Sequence, residues 1–185
     1  MAVVRKVRKL GDPSLRVRTI PVTDPKSSGV KVVADELSEV LRAQRKAHGL
    51  GRALAAPQIG APIRMVYVDL GKPWVLINPE IVDVGTDDFL VWDDCFSFPD
   101  LMVRVQRAFR IKVKYQDLRG KSHTVELEND EAELIQHEID HLDGVLAVDR
   151  PVGLDPFCLR AEWKTHYTDK LRYGTPAPRA APPSS

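Results

Sequence analysis

At 185 residues the chain is long enough to bury one hydrophobic core and short enough to suggest a single domain. Its 27 basic residues nearly balance 26 acidic ones, and the net charge of +1 leaves no electrostatic footprint for nucleic acid or a membrane surface. Two cysteines, Cys95 and Cys158, are too few for a disulfide framework, and with neither a signal peptide nor a long apolar run in view, a reducing, soluble compartment is the expectation.

The chain opens with a basic segment, residues 3–18, in which Gly11-Asp12-Pro13 signals a turn; it is expected to wrap the domain rather than form its centre. Over 30–48 the apolar residues Val33, Leu37, Val40, Leu41 and Ala47 recur at helical spacing, and Gly49 supplies the stop. The small residues of 49–60 follow neither a helical nor a strand period. Two readings stay open there: a substrate-facing loop, or a tightly packed connector. Residues 64–70 and 74–84 read as antiparallel strands around Gly71-Lys72-Pro73, and a third run, 89–92, leads into Asp93-Asp94-Cys95-Phe96-Ser97. Residues 103–115 and 122–127 flank a turn at Asp117-Leu118-Arg119-Gly120 as a hairpin. A helix follows at once, so the predicted fold is α+β, with antiparallel β-strands packed around a central metal-binding helix. Beyond it, 145–148 reads as a short strand and 156–173 as a surface helix. The Pro/Ala/Ser-rich tail, 174–185, is expected to be disordered, leaving one domain over 1–173.

The central helix carries Gln136-His137-Glu138-Ile139-Asp140-His141-Leu142-Asp143-Gly144. Side chains four apart share a helix face, so His137 and His141 can direct two imidazoles at one metal ion, with Glu138 beside it as a base for the attacking water. Asp130 and Glu133 read as a capping box, and Gly144 as the C-terminal stop. Ala132, Ile135, Ile139 and Leu142 form an apolar stripe, and Leu134, His137, Glu138 and His141 a second face. Gln136, Asp140, Asp143 and Glu133 are left for solvent or the rim.

A catalytic site of this kind needs a third protein ligand and one open position. A further histidine at 147 would make a metzincin, but Ala147 stands there. Glu162 is the only later glutamate, which keeps a thermolysin-like site open. Cys95 is the other candidate: its thiolate would complete a Cys-His-His site, while the bland alternative is a small buried hydrophobe.

Three stretches together resemble the peptide deformylase family, over residues 11–149. The family's GxGxAAxQ is matched by Gly51 to Gln58 with Ala53 for the second glycine. EGCLS is matched at 93–97 with only Cys95 and Ser97 identical, and QHExDHLxG is matched in full from Gln136 to Gly144. The resemblance implies a hydrolase that removes the N-formyl group from the N-terminal methionine of new polypeptides, giving formate. The alternative is a deformylase-like protein acting on another amide, or binding without turnover. It implies Cys95, His137 and His141 as ligands of one divalent ion, typically Fe2+, with Zn2+, Ni2+ or Co2+ able to replace it. Glu138 would be the acid and base, while Gln58 and the Phe96 N–H would stabilise the oxyanion. Leu50, Val91, Glu133 and Leu134 would line the methionine pocket, although Glu133 is favoured as a cap, and Gly51 and Asp94 would flank the peptide. The implied partner is an N-formyl-methionyl peptide met at the ribosome exit, in a bacterial-type cytoplasm. Asp93 is expected to pair with Arg107. Asp94, in place of a glycine, would weaken formyl-peptide binding or select a positively charged substrate.

Overall fold

The computed structural model describes residues 5–167 and 172–179. Nine strands and three α-helices are described: α1 (Ser28–His48), β1 (Ala53–Ala55), β2 (Met65–Asp69), β3 (Pro73–Val84), β4 (Asp87–Asp94), β5 (Leu101–Ala108), β6 (Arg110–Gln116), β7 (Ser122–Glu128), α2 (Asn129–Leu142), β8 (Phe157–Leu159), α3 (Arg160–His166) and β9 (Ala177–Pro178). The strands form two antiparallel sheets, one ordered β1-β2-β3-β6-β7 and the other β8-β5-β4-β9. The architecture is α+β, with α2 at its centre.

Side-chain alternation along β2 explains how the larger sheet is covered. Met65 and Tyr67 point into the cluster that contains Leu37, Val40 and Leu41 of α1, while Val66 and Val68 point into the one that contains Ala132, Ile135, Ile139 and Leu142 of α2. The two helices therefore sandwich the sheet. The apolar stripe read from the sequence of α2 is the face buried on it, and each of those larger side chains contributes about 1.5–3 kcal/mol by leaving water. Ala53 and Ala55 of β1 lie on the α2 side and Leu54 on the α1 side. Small residues are needed at β1 because α2 runs close above it. Ala53 is absent from the positive-φ residues, so the methyl group it adds is tolerated.

Several expected elements differ. Residues 103–115 are two strands in different sheets, broken at Phe109, whose N–H donates to the Asp87 carbonyl (2.9 Å) and whose carbonyl accepts from Asn129 (2.8 Å). The Phe109 ring packs edge-on against Phe89 at 5.6 Å. Residues 49–60 hold the strand β1 and a 3-10 turn, Ala56–Ile59. A 3-10 turn at Ala147–Asp149 replaces the strand expected at 145–148, and the described residues of 156–173 hold β8 followed by the helix α3. The start of α2 has no side-chain cap; Asp130 and Glu131 instead place negative charge in its first turn. Gly144 has φ +76, and a Cβ there would come within 2.6 Å of the Arg16 carbonyl, so the basic opening segment can cross the helix end only at glycine.

Disorder was expected from Gly174 onward, but residues 174–179 are laid along β4. Gly174 N–H donates to Leu90 O (2.7 Å), Ala177 and Pro178 pair with Asp88 and Asp87, and Arg179 reaches the Asp88 carboxylate at 2.8 Å. The strand edge of β4 offers a row of free N–H and C=O groups that a Pro-rich sequence can still satisfy. Residues 180–185 of that tail lie outside the described residues.

Candidate active site

The site forms where the end of β4 meets the second face of α2. His137 and His141, one turn apart, are buried with ring centroids separated by 4.9 Å. Cys95 follows β4 directly, and its Sγ lies 3.2 Å from His141 Nε2. One donor atom from each of the three residues lies within 4.8 Å of the other two, a spacing that ligand bonds of about 2.3 Å from sulfur and about 2.0–2.1 Å from nitrogen can bridge through a single ion. Among the described residues no other His, Cys, Asp or Glu joins this group. Glu162, the alternative third ligand, is exposed on α3 and pairs with His166 at 3.4 Å.

His137 is held by a buried ion-pair chain. Asp93, 1% exposed, places its carboxylate 2.9–3.0 Å from His137 Nδ1, so the other ring nitrogen turns towards the sulfur. Arg107 donates to Asp93 at 2.9 Å, as expected from the sequence, and also to Asp140, which takes a second arginine, Arg150, at 2.9 Å. Burial alone would raise the Asp93 carboxyl, yet His137 and Arg107 outweigh it and hold it far below the ordinary carboxylate value. Burial would likewise depress His137, but the Asp93 carboxylate keeps this imidazole well above its usual value, while burial and the neighbouring His137 push His141 well below.

Glu138 stands next in line on α2, 4% exposed. Burial pushes its carboxyl up to about 7 against the pull of His137, and its Oε2 has no hydrogen-bond partner among the described residues. A carboxyl poised near neutrality and not locked by donors is suited to taking and returning a proton. Gln58 approaches from the 3-10 turn after β1. Its Oε1 accepts from Ala55 N–H (2.9 Å), which fixes the amide so that Nε2 faces Cys95 Sγ and Ser97 Oγ, each at 3.3 Å. Phe96 lays its ring over Gly51. At φ +130, with a Cβ position 2.5 Å from Phe96 Cζ, position 51 admits glycine alone without displacement.

These groups open on a cleft of about 430 Å3 whose walls include Leu50, Gly51, Asp94, Glu133 and Leu134. Val91 is not brought there: it is 1% exposed and packs with Leu15, Phe89 and Val105 in the core of the smaller sheet. Glu133, for which capping was favoured over a place in the pocket, is buried in the cleft wall, where Oε2 accepts from Arg52 Nη2 at 2.6 Å. Asp94 is covered by two arginines that the sequence reading missed, Arg160 at 2.7 Å and Arg172. Its charge is thus already matched, and the expected selection of a positive substrate loses its basis. No local signal marks these arginines, which lie 66 and 78 residues from Asp94.

A family model described as polypeptide deformylase matches residues 4–156. The chain is 40% identical over 146 residues to the peptide deformylase of Thermotoga maritima, covering 78% of this chain and 85% of that one. It is also similar to the crystal structure of the Thermotoga maritima peptide deformylase, with a TM-score of 0.74 at 39% identity over 82% of this chain and 99% of the other. The Met-Ala-Ser bound crystal structure of a class I type b peptide deformylase from Acinetobacter baumannii gives a TM-score of 0.73 at 31% identity, over 81% and 99% of the two chains.

Proposed function

The chain belongs to the peptide deformylase family, and on that premise we propose that Cys95, His137 and His141 hold one Fe2+ ion, with Zn2+, Ni2+ or Co2+ as substitutes. It is a metal-dependent hydrolase that removes the formyl group from the N-terminal methionine of new polypeptides, releasing formate. The observation that carries this reading is the convergence of a thiol and two imidazoles beside an unbonded, elevated carboxyl at an open cleft.

A divalent ion held by these residues supplies Lewis acidity and acidifies a water it binds. The chain's own groups do the rest. Glu138 takes a proton as water attacks the formyl carbon, then returns it to the departing amine. Gln58 Nε2 and the main-chain N–H of Phe96 donate to the carbonyl oxygen as negative charge gathers on it. Donors already fixed in place avoid reorganisation, and the bond from Ala55 is what fixes Gln58. Asp93 keeps His137 in the ligating tautomer. Leu50, Glu133 and Leu134 line the methionine subsite, while Gly51 and Asp94 flank the peptide. Residues 1–173 act as one catalytic domain, meeting N-formyl-methionyl chains near the ribosome exit in a cytoplasm of bacterial type. No helix among the described residues is long and apolar enough to cross a membrane.

Anaerobically prepared, iron-loaded protein should release formate from formyl-Met-Ala-Ser in multiple turnovers. Protein with one iron per chain that gives no formate would defeat the assignment.

A further inference from the structure

The basic opening segment plays no part in the chemistry above, yet it runs directly behind the loop that carries Cys95. Lys9 Nζ donates to the Phe96 carbonyl at 2.7 Å, and the next residue, Leu10, donates its backbone N–H to the Ser97 carbonyl at 2.8 Å. The Cys95 carbonyl accepts from Phe98 N–H at 3.1 Å. All three carbonyls of 95–97 are therefore held, and of these three donors only that of Lys9 is a side chain.

The Phe96–Ser97 peptide group links that lysine to the metal site. A trans peptide points its C=O and N–H to opposite sides, so a donor that holds the carbonyl also aims the N–H. Here the N–H is that of Ser97, and it donates to Cys95 Sγ at 3.4 Å. The order is thus Lys9 ammonium, Phe96 carbonyl, Ser97 N–H, Cys95 sulfur. An ammonium on a carbonyl makes a charge-assisted bond, and hydrogen bonds in series strengthen one another by about 10–30% each. The sulfur end is buried, where bulk water does not dissipate the effect. Gln58 Nε2 is a second donor to the sulfur, at 3.3 Å, but the same group is assigned to the substrate oxyanion. Once it turns to the substrate, the Ser97 N–H is the donor that stays. Lys9 itself is exposed, so its removal admits water to the Phe96 carbonyl; water satisfies the acceptor but brings no charge.

We propose that Lys9 is a positioning residue for the metal centre: through the Phe96–Ser97 peptide it aims and strengthens a hydrogen bond to the Cys95 thiolate, lowering the electron donation of that sulfur to the ion. A ligand that donates less leaves a divalent ion the stronger Lewis acid. The inference rests on Cys95 being a ligand, as proposed above, and gives a role to a segment that touches neither ion nor substrate.

The test uses the full chain loaded anaerobically with Co2+, whose sulfur-to-cobalt charge-transfer absorption reads that donation without any turnover. Lys9→Met should move the band to lower energy with one ion still bound per chain, whereas Lys9→Arg, which keeps a cationic donor, should restore its position. A lysine that serves only the fold would lower the melting temperature and leave the band in place. An unmoved band in Lys9→Met, or an equal displacement in both variants, would overturn the proposal while leaving the deformylase reading intact. No charge-transfer band in the unmodified chain would mean that Cys95 is not a ligand, and both would fall. A second measurement needs no variant: in the cadmium-loaded chain the Ser97 amide proton should show scalar coupling to the metal, which crosses a hydrogen bond to a ligating sulfur. Absence of that coupling would equally overturn the proposal.

Discussion

Glu138→Ala is expected to keep one metal ion per chain while lowering kcat by about 10²- to 10⁴-fold, the span that general acid and base catalysis contributes. The separation of these two readouts follows from geometry. Cys95, His137 and His141 bring donor atoms together without Glu138, so metal content does not depend on it. Removing a buried carboxyl with an unbonded oxygen also breaks no hydrogen bond at that atom. Metal analysis alongside formate release checks the prediction. A variant that loses its metal would mean that Glu138 is a ligand, and one that keeps its rate would mean that the base lies elsewhere.

Asp93→Ala should damage stability and metal affinity together. Its carboxylate is the direct contact between His137 Nδ1 and Arg107, and Arg107 is only 4% exposed. Truncation leaves the guanidinium with Asp140 alone in a dry setting. Breaking a buried pair by deleting one partner costs about 3–5 kcal/mol, and the remaining bond to Asp140 places this case near the lower figure. Loss of the contact that orients a ligating imidazole typically weakens metal binding by about 10- to 100-fold. Denaturant unfolding of the metal-free protein and competitive metal titration measure the two effects separately. An affinity unchanged in the face of lowered stability would show that Asp93 serves the fold and not the ligand. Asp93→Asn, which keeps the shape and one acceptor, should fall between the two.

The site was legible where its chemistry is written in local spacing. The histidine pair and Glu138 follow from the helical period alone, and the stripe Ala132, Ile135, Ile139, Leu142 marked the buried face that the structure confirms. The Asp93 to Arg107 pairing was accessible through the resemblance, which places an arginine twelve residues after the cysteine, and the two groups meet at 2.9 Å. What was not legible depends on contacts between distant segments. Residues 103–115 carry an unbroken β-forming pattern, and nothing in it announces that Phe109 passes the chain from one sheet to the other. Glu133 sits at the right offset for a cap, but its partner is Arg52, 81 residues earlier, and an ion pair in the cleft wall prevailed over a helix-end hydrogen bond. Asp94 pointed to a cationic substrate only while its own two arginines were unseen. The tail from Gly174 has the composition of an unstructured segment, and its first six residues are ordered by an edge that β4 leaves open.

The three proposed ligands come from the two halves of the core: Cys95 packs with the smaller sheet, whereas the helix bearing His137 and His141 is seated on the larger one. An ion shared among them acts as a rivet across that seam, so chelation should loosen the whole domain rather than only silence it. Its melting temperature should climb with free metal, by the equivalent of about 2.7 kcal/mol at a hundredfold excess over the dissociation constant.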